Sequence, residues 1–229
     1  MTEIQMRGTL MDNDSAKIMR HYGFHDVICP ADVAAALAEA AGDAVECVVN
    51  SEGGMLTAGT EIYCALSEYG GRVSARVQSC AASAATVLMM AAAEITAEPV
   101  SLLCIHNPTM YREGDERAFA HGAEELRNIK ESLLNAYERR MKLTREEIAA
   151  LMDRDLWLSA NQALEYGLID RIEGDAVTAE ENARLTASGT HLFPTPEMRR
   201  KYGEYLAASA ARENALELER ARLELLRRI

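Results

Sequence analysis

Aromatic residues are scarce in this 229-residue chain: they make up 5% of it, although 48% of its residues are hydrophobic. The core must therefore be built mainly from Ala, Val, Leu, Ile and Met. The length suits one large domain, or one domain with an appendage. We divide the chain into residues 1–174, where strand and helix patterns alternate, and residues 175–229, a polar linker followed by a helical tail.

Positive charge is also in short supply, with 24 Lys and Arg against 36 Asp and Glu and a formal net charge of −12. Nucleic-acid binding requires clustered Lys and Arg, so nucleic acid is not expected as a partner. No stretch approaches the roughly 20 apolar residues that span a bilayer, and the first residues lack the apolar core of a secretory signal. We therefore expect a soluble, cytoplasmic protein without a membrane partner.

The five cysteines show no C-x-x-C spacing. Most lie inside apolar runs, where a free thiol behaves as a small buried hydrophobe, so a disulfide framework is not expected. Cys and His residues do not cluster at ligand spacing, and we expect neither a metal site nor a cofactor. Cys80 is a minor candidate for a reactive thiol because it lies close to Ser83 in the sequence.

Alternating strand and helix patterns predict an α/β domain with substantial parallel pairing. The strands are predicted near 4–10, 45–49, 72–77, 99–106 and 168–172. The helices are predicted at 57–69, 83–94 and 115–141, and from Pro30 to residue 41 with Asp32 as its cap. Thr144 and Glu147 form a capping box for another helix. The 115–141 helix is long enough to project toward a partner subunit.

Ser83, His106 and Asp155 each lie at the edge of a predicted element. Ser83 comes where a strand gives way to a helix, His106 ends an apolar run, and Asp155 precedes a helix signal. Each residue alone has a structural interpretation, since serine and aspartate cap helices and a histidine on an apolar strand packs in the core. Together they supply the set used for nucleophilic catalysis. Asp153 shares the setting of Asp155 and is the alternative acid.

Five motifs occur in the order found in one family of serine peptidases. They are N-S-E-G-G at 50–54, A-A-S-A at 81–84, I-H-N-P at 105–108, R-D-L-W-L-S-A at 154–160 and E-Y-G-L-I-D at 165–170. From about residue 45 to 174 the chain resembles the ClpP family, in particular its shorter phage and prophage members. The resemblance implies a ClpP/crotonase-like fold of repeated β-β-α units, with a long projecting helix and, here, a C-terminal helical tail.

The resemblance also implies a site. Ser83 would be the nucleophile, His106 the general base and Asp155 the acid that orients it. The backbone N–H groups of Gly54 and Ala84 would hold the oxyanion. An extended peptide would bind along Gly53 and Gly54.

ClpP-like chains form seven-membered rings that stack through a long helix, matched here by residues 115–141. The resemblance therefore implies a heptameric ring, stacked as a tetradecamer in the family, that admits peptides or unfolded proteins. Partnership with an AAA+ unfoldase is left open, because the amino-terminal region and the residues after 175 do not match the usual family pattern. A role in phage capsid maturation would fit the phage-like resemblance.

Two departures from the family affect the site. Glu52 replaces the usual proline before Gly53, and Ser79-Cys80 replaces a glycine-containing approach to Ser83. Two other functions therefore stay open at this point. One is a catalytically silent assembly protein that keeps the ring, and the other is a crotonase-like acyl-CoA enzyme, which shares the fold and a backbone oxyanion hole.

Overall fold

The computed structural model of the chain describes residues 1–174 and 194–209. The strands of this part are β1 (Thr2–Leu10), β2 (Val27–Ile28), β3 (Val45–Gly54), β4 (Val73–Ala82), β5 (Glu94–Ala97), β6 (Leu102–Cys104), β7 (Trp157–Ser159) and β8 (Arg171–Ile172). Its helices are α1 (Asn13–His21), α2 (Pro30–Ala40), α3 (Leu56–Glu68), α4 (Ala84–Met89), α5 (Glu116–Glu138), α6 (Arg145–Arg154) and α7 (Ala160–Glu165). Residues 196–209 are also helical.

The strands form one sheet with the order β2-β1-β3-β4-β5-β8, and all of these neighbours pair in parallel. The first half of β4 pairs with β5, and its second half pairs with β6. β7 joins β6 in the antiparallel direction. The prediction of an α/β fold with parallel pairing is confirmed, and the fold agrees with the ClpP/crotonase type.

The two faces of the sheet differ in polarity. On β4 the alternate residues Val73, Ala75 and Val77 are buried in the main core, which also contains apolar side chains of α2, α3 and α4. Arg76 points to the other face, where its guanidinium lies 3.2 Å from Glu46 and within 4 Å of two further carboxylates, on Glu3 and Glu98. This period of two is typical of a strand with one face in the core.

Several predicted elements have the wrong bounds, for example the strand predicted at 168–172, which is only Arg171–Ile172. The helix predicted at 83–94 ends at Met89, and Glu94–Ala97 forms β5 instead. The alanine-rich sequence favours a helix, but the four-residue strand pairs with β4, and the sheet outweighs local propensity. The strand predicted at 99–106 is shorter, Leu102–Cys104.

Helix capping was predicted with mixed success. The Thr144–Glu147 capping box is present at the start of α6. Asp32 does not cap α2, because Cys29 occupies the cap position and the Asp32 carboxylate forms an ion pair with Arg20. The helix α1, capped by Asp12, was not predicted at all. Within the tail, the alanine- and leucine-rich sequence predicts a helix at 207–229, which lies almost wholly outside the described residues; residues 207–209 are helical.

Candidate active site

Ser83 occupies a sharp turn between β4 and α4. Its backbone has φ 56° and ψ −129°, a conformation that costs a non-glycine residue about 1–3 kcal/mol. Such a strained strand-to-helix turn is the device by which α/β-hydrolases expose a nucleophilic serine. Ser83 stands at the cap position of α4, yet its side chain makes no capping hydrogen bond. The helix-capping interpretation of this serine is therefore wrong.

Gly53 lets β3 approach the Ser83 turn, and Gly54 lets it approach Leu10 on β1. Gly53 has φ 98°, and a Cβ placed on it would lie 2.7 Å from the Ala82 carbonyl oxygen and 2.7 Å from Ser83 Cβ. Gly54 has φ 144°, and a Cβ there would lie 2.2 Å from the Leu10 carbonyl oxygen. Because L-residues avoid such φ values and no side chain would fit, only glycine allows this contact. The glycine motif is thus a steric requirement of the site.

Ser51 fastens this glycine loop, a role that we did not predict. Its buried hydroxyl donates to the Gly8 carbonyl at 2.5 Å and accepts from the Gly53 N–H at 3.1 Å. Ser51 is the second residue of the N-S-x-G-G motif, and its place in the motif could have indicated this role. A buried hydroxyl needs hydrogen-bond partners, and Gly8 and Gly53 supply them.

Strand register brings the three predicted catalytic residues to one edge of the sheet. Ala82 on β4 pairs with Cys104 on β6, and Cys104 pairs in turn with Trp157 on β7. Ser83 follows Ala82, and its N–H donates to the Cys104 carbonyl at 3.0 Å. His106 lies two residues after Cys104. Because β7 is antiparallel, Asp155, two residues before Trp157, lies at the same edge.

The side chains of these three residues are not joined by hydrogen bonds to one another anywhere in the described structure. His106 Nδ1 lies 2.7 Å from the Asn107 carbonyl oxygen. The Asp155 carboxylate is exposed and lies 3.9 Å from the Cys104 sulfur, which donates to it. A catalytic relay through His106 would therefore require its imidazole to turn toward Asp155.

The backbone conformation at position 155 is one that suits an aspartate. Asp155 adopts a left-handed conformation, φ 49° and ψ 48°, at the C-terminal end of α6. Aspartate tolerates this conformation better than most residues, because its short side chain can bond locally. The interpretation of Asp155 as an N-cap is wrong, since the following helix α7 is capped by Ser159.

Asp153 has partners of its own. Its Oδ1 accepts from Lys130 Nζ at 2.6 Å and from Asn107 Nδ2 at 2.8 Å. These hydrogen bonds, that of Lys130 first, lower the pKa of Asp153. Asp153 therefore stays ionised and tied to α5 and to the residue after His106, whereas Asp155 carries no such pair.

A buried hydrogen-bond chain behind Ser83 links the turn to α5. Thr86 Oγ1 donates to the Ser83 carbonyl at 2.6 Å and lies 2.7 Å from the Tyr137 hydroxyl, which donates to it. Tyr137 is 1% exposed, and burial raises the pKa of its hydroxyl, so it remains protonated. Tyr137 was not predicted to contribute to the site.

The surroundings of Cys80 do not favour a reactive thiol. It is half-buried, and its sulfur donates to Asn50 Oδ1 at 3.6 Å. Burial, and then the charge of Glu52, raise the pKa of its thiol. The thiolate, which is the nucleophilic form, is therefore disfavoured at neutral pH.

The described ranges contain no group of three or more His, Cys, Asp or Glu residues that could hold a metal ion. None of the helices in those ranges is both long enough and apolar enough to cross a membrane.

A family model described as Clp protease matches residues 27–175, more than half of the chain. The chain belongs to the Clp protease family. This is a family of serine peptidases, and its matched segment contains β3, the Ser83 turn, α5 and β7. The family assignment leaves the acyl-CoA alternative without support.

Curated Clp relatives are similar at about one third identity. The proteolytic subunit 1 of the ATP-dependent Clp protease of Chlamydia muridarum is 32% identical over 135 residues, covering 57% of this chain and 70% of the relative. The proteolytic subunits of Bacteroides thetaiotaomicron and Porphyromonas gingivalis are each 32% identical over 133 residues, covering 57% of this chain and 60% of each relative. The chain thus matches between three fifths and seven tenths of these relatives' lengths.

Proposed function

We propose that this chain is a serine endopeptidase in which Ser83 is the nucleophile, His106 the general base and Asp155 the orienting acid. The observation that carries the proposal is the Ser83 turn, which holds a serine in a strained conformation without using its hydroxyl as a cap. Strain of this kind persists where the surrounding structure imposes it, and it concentrates at functional sites. The membership of the Clp protease family supports the reaction class.

The reaction follows from the roles proposed for these three residues. His106 takes the proton of Ser83 as the hydroxyl oxygen attacks the peptide carbonyl carbon, and it later gives that proton to the leaving amine. Water then attacks the acyl-enzyme by the same route and frees the serine. Asp155 holds the imidazole in the required tautomer and stabilises the imidazolium.

The oxyanion would be held by the N–H groups of Gly54 and Ala84. Ala84 is the first residue of α4, so its N–H has no partner within the helix. Met55 N–H donates to the Leu10 carbonyl at 2.9 Å. Because alternate residues of a strand bond to one neighbour, the Gly54 N–H is expected on the opposite side of β3, toward β4 and Ser83. An extended peptide would bind along Gly53 and Gly54.

The proposal includes a rearrangement of His106. Its Nδ1 faces the Asn107 carbonyl in the structure, whereas catalysis requires Nδ1–H to face Asp155. Catalytic hydrogen bonds often form only when substrate is bound. Substrate binding or assembly would therefore complete the site.

We further propose a heptameric ring that can stack through α5 and admits peptides or unfolded chains. The first half of α5 lies largely outside the core, while Leu133, Leu134 and Tyr137 in its second half are buried. Phe119 on the projecting half is 57% exposed, and Tyr111 just before the helix is 91% exposed. Exposed aromatic residues of this kind support an interface. Light scattering tests the ring, and a monomer at micromolar concentration would contradict it.

The proposal has three further parts, which concern the domain division, the partner, and the substrate and location. We divide the chain into a peptidase domain, 1–174, and an appended segment, 175–229. The relatives are named as subunits of ATP-dependent proteases, which supports an AAA+ unfoldase as a partner to test. A substrate in phage capsid maturation, and cytoplasmic location, rest on the motif resemblance and composition alone.

One alternative is favoured by a specific observation. Because His106 Nδ1 contacts the Asn107 carbonyl and makes no hydrogen bond with Asp155, a catalytically silent member that keeps only the assembly is the alternative. The two functions differ in whether Ser83 is activated. A silent member would assemble normally and leave the serine unreactive.

A fluorophosphonate probe distinguishes them. The purified chain is incubated with the probe, and the adduct is mapped by mass spectrometry, for the wild type and for Ser83→Ala and His106→Ala. We expect an adduct on Ser83 that is lost in Ser83→Ala and falls by about 10³-fold in His106→Ala, because the general base is removed. A folded ring that is not labelled, and that cleaves no unfolded casein, would contradict the peptidase function.

A further inference from the structure

The segment 194–209 lies beyond the part of the chain that matches the family, yet it packs against the amino-terminal part of the domain. Met198 contacts a small buried cluster that we call the amino-terminal cluster, formed by Met11, Ala16, Met19, Val27 and Cys29. The Tyr22 hydroxyl donates to the Met198 carbonyl at 3.4 Å. The segment is therefore docked on α1.

The same cluster supports the glycine loop from its other side. Met55, which directly follows Gly54, also packs against the amino-terminal cluster. Met55 N–H donates to the Leu10 carbonyl, and Leu10 pairs with Gly54 across β1 and β3. Met198 and Met55 thus share one small core, and close packing transmits a change on one side to the other.

A polar contact fixes the corner between β1 and α1. Arg199 Nη2 donates to Ser15 Oγ at 2.8 Å, and the Ser15 hydroxyl donates to the Asp12 carboxylate. Asp12 caps α1 and is two residues from Leu10. Burial opposes the ionisation of Asp12, but the Ser15 hydrogen bonds and the charge of Arg199 outweigh it and lower its pKa. Arg199 therefore stabilises the cap beside the glycine loop.

The far end of α1 is held as well. The His21 ring lies 5.0 Å from the ring of Tyr202 and 4.4 Å from that of Tyr205, measured between centroids. The helix of residues 196–209 consequently contacts both the first turn and the last turn of α1. Contacts at two ends fix the orientation of a helix more firmly than one contact does.

We propose that Met198 and Arg199 are positioning residues, and that the 194–209 segment braces the Gly53–Gly54 loop through α1 and the amino-terminal cluster. The brace holds the loop where the Gly54 N–H meets the substrate carbonyl, so this inference rests on the proposed function for its catalytic consequence. The structural part of the inference is independent of that function. It states that the rigidity of the loop depends on residues some 145 positions away in the sequence.

The test compares Met198→Ala and Arg199→Ala with Arg200→Ala in the full chain. Arg200 is the matched control, because it lies on the same helix and, within residues 1–174 and 194–209, pairs only with Glu204 at the exposed surface. Amide hydrogen exchange is read at residues 53–55 and at the buried end of α5, residues 133–137. Fluorophosphonate labelling of Ser83 is measured as a function of pH. Met198→Leu tests rescue by a side chain of similar volume.

We expect amides 53–55 to exchange about tenfold faster in Met198→Ala and Arg199→Ala, with residues 133–137 unchanged. The maximal labelling rate should fall by about tenfold, because a displaced oxyanion donor is lost, while the midpoint of the pH profile stays the same. Arg200→Ala should match the wild type, and Met198→Leu should restore both readouts.

Equal exchange at 53–55 in the wild type and in folded Met198→Ala and Arg199→Ala would overturn the inference. Faster exchange at 133–137 as well would also overturn it, since that indicates general destabilisation. If Met198→Ala does not fold, Arg199→Ala decides, because Arg199 is exposed and its removal leaves no cavity. If the wild type does not react with the probe, the proposed function fails, and the exchange experiment still decides whether the brace exists.

Discussion

Ser83 and His106 lie at adjacent strand ends, but they are held in different ways. The Ser83 backbone donates to Cys104, accepts from Thr86 and packs against Gly53, so every side of the turn is fixed. The His106 imidazole interacts with the carbonyl of the next residue, and the Asp155 carboxylate beside it is exposed. One half of the proposed site is preorganised and the other half is not.

This difference indicates where control of the reaction would lie. A preorganised nucleophile and oxyanion loop lower the barrier without further reorganisation. If His106 is the general base as proposed, its imidazole has to leave the Asn107 carbonyl, so activity would depend on whatever favours that movement. Substrate binding and ring assembly are the two events that could do so. The predictions below test each half separately.

The largest effect is expected from Asp155→Asn. The amide cannot stabilise the imidazolium and favours the wrong tautomer, so labelling of Ser83 should fall by about 10³–10⁴-fold. Asp153→Asn is the matched control, because its amide oxygen can still accept from Lys130 and Asn107, and its labelling rate should stay within about threefold of the wild type. The reverse pattern would assign the orienting acid to Asp153.

Gly53→Ala tests the preorganised half. The added Cβ would meet the Ala82 carbonyl oxygen and Ser83 Cβ at 2.7 Å, in a backbone conformation with φ 98°. Displacement of the loop should reduce labelling by about 10²-fold, comparable with the loss of one oxyanion donor. Gly70→Ala is the control, since a Cβ there meets no atom within 4 Å. Labelling that is equal in the two variants would show that the close approach is not needed.

Tyr137→Phe removes the end of the chain that links α5 to the Ser83 turn. Loss of the bond to Thr86 should lower the free energy of unfolding by about 1 kcal/mol in urea. Labelling should slow by about threefold, because Thr86 is no longer oriented toward the Ser83 carbonyl.

Tyr69→Phe is the control for this substitution. The Tyr69 hydroxyl bonds to Gly42 and Asp43 at the surface, far along the sheet from Ser83. Its loss should destabilise the fold without slowing the labelling. If both variants label at the same rate, the Tyr137 hydroxyl is a stability element only.

The parts of the fold that the sequence predicts are those with a local cause. The β-branched run at 45–49 and the Thr144–Glu147 capping box report directly on the residues that form them, and both are present in the structure. The strand Glu94–Ala97 was missed because its four residues gain their stability from pairing with β4 and β8, which are distant in the sequence. Helix α1 also has a local signal, the Asp12 cap and a buried face that includes Ala16 and Met19, and it was nevertheless missed.

The same distinction applies to the site. The motifs locate Ser83, His106 and Asp155, and strand register accounts for their proximity. Three other features of the site arise from packing between distant segments. They are the backbone angles of Ser83, the Thr86–Tyr137 bond across 51 residues of sequence, and the contact of Met198 with the amino-terminal cluster. No periodicity of the sequence encodes them, since each joins segments that are far apart in the chain.

The smallest effect concerns Cys104. Its reactivity can report whether the sheet edge that carries His106 and Asp155 is open to solvent. Burial, and then the negative charge of Asp155, raise the pKa of its thiol to about 12, and the residue is 3% exposed. At pH 8 only about one thiol in 10⁴ would be ionised, so Cys104 should react with a disulfide reagent far more slowly than the exposed Cys64. Because the pKa is raised, its reaction should accelerate as the pH rises toward 12.

A phosphonate bound at Ser83 should slow the modification of Cys104 further if ordering His106 closes this edge of the sheet. Rapid modification of Cys104 at pH 8, with Cys64 replaced by serine, would instead show that the edge is already open in the resting protein, and the contrast between the two halves would be larger than the structure indicates.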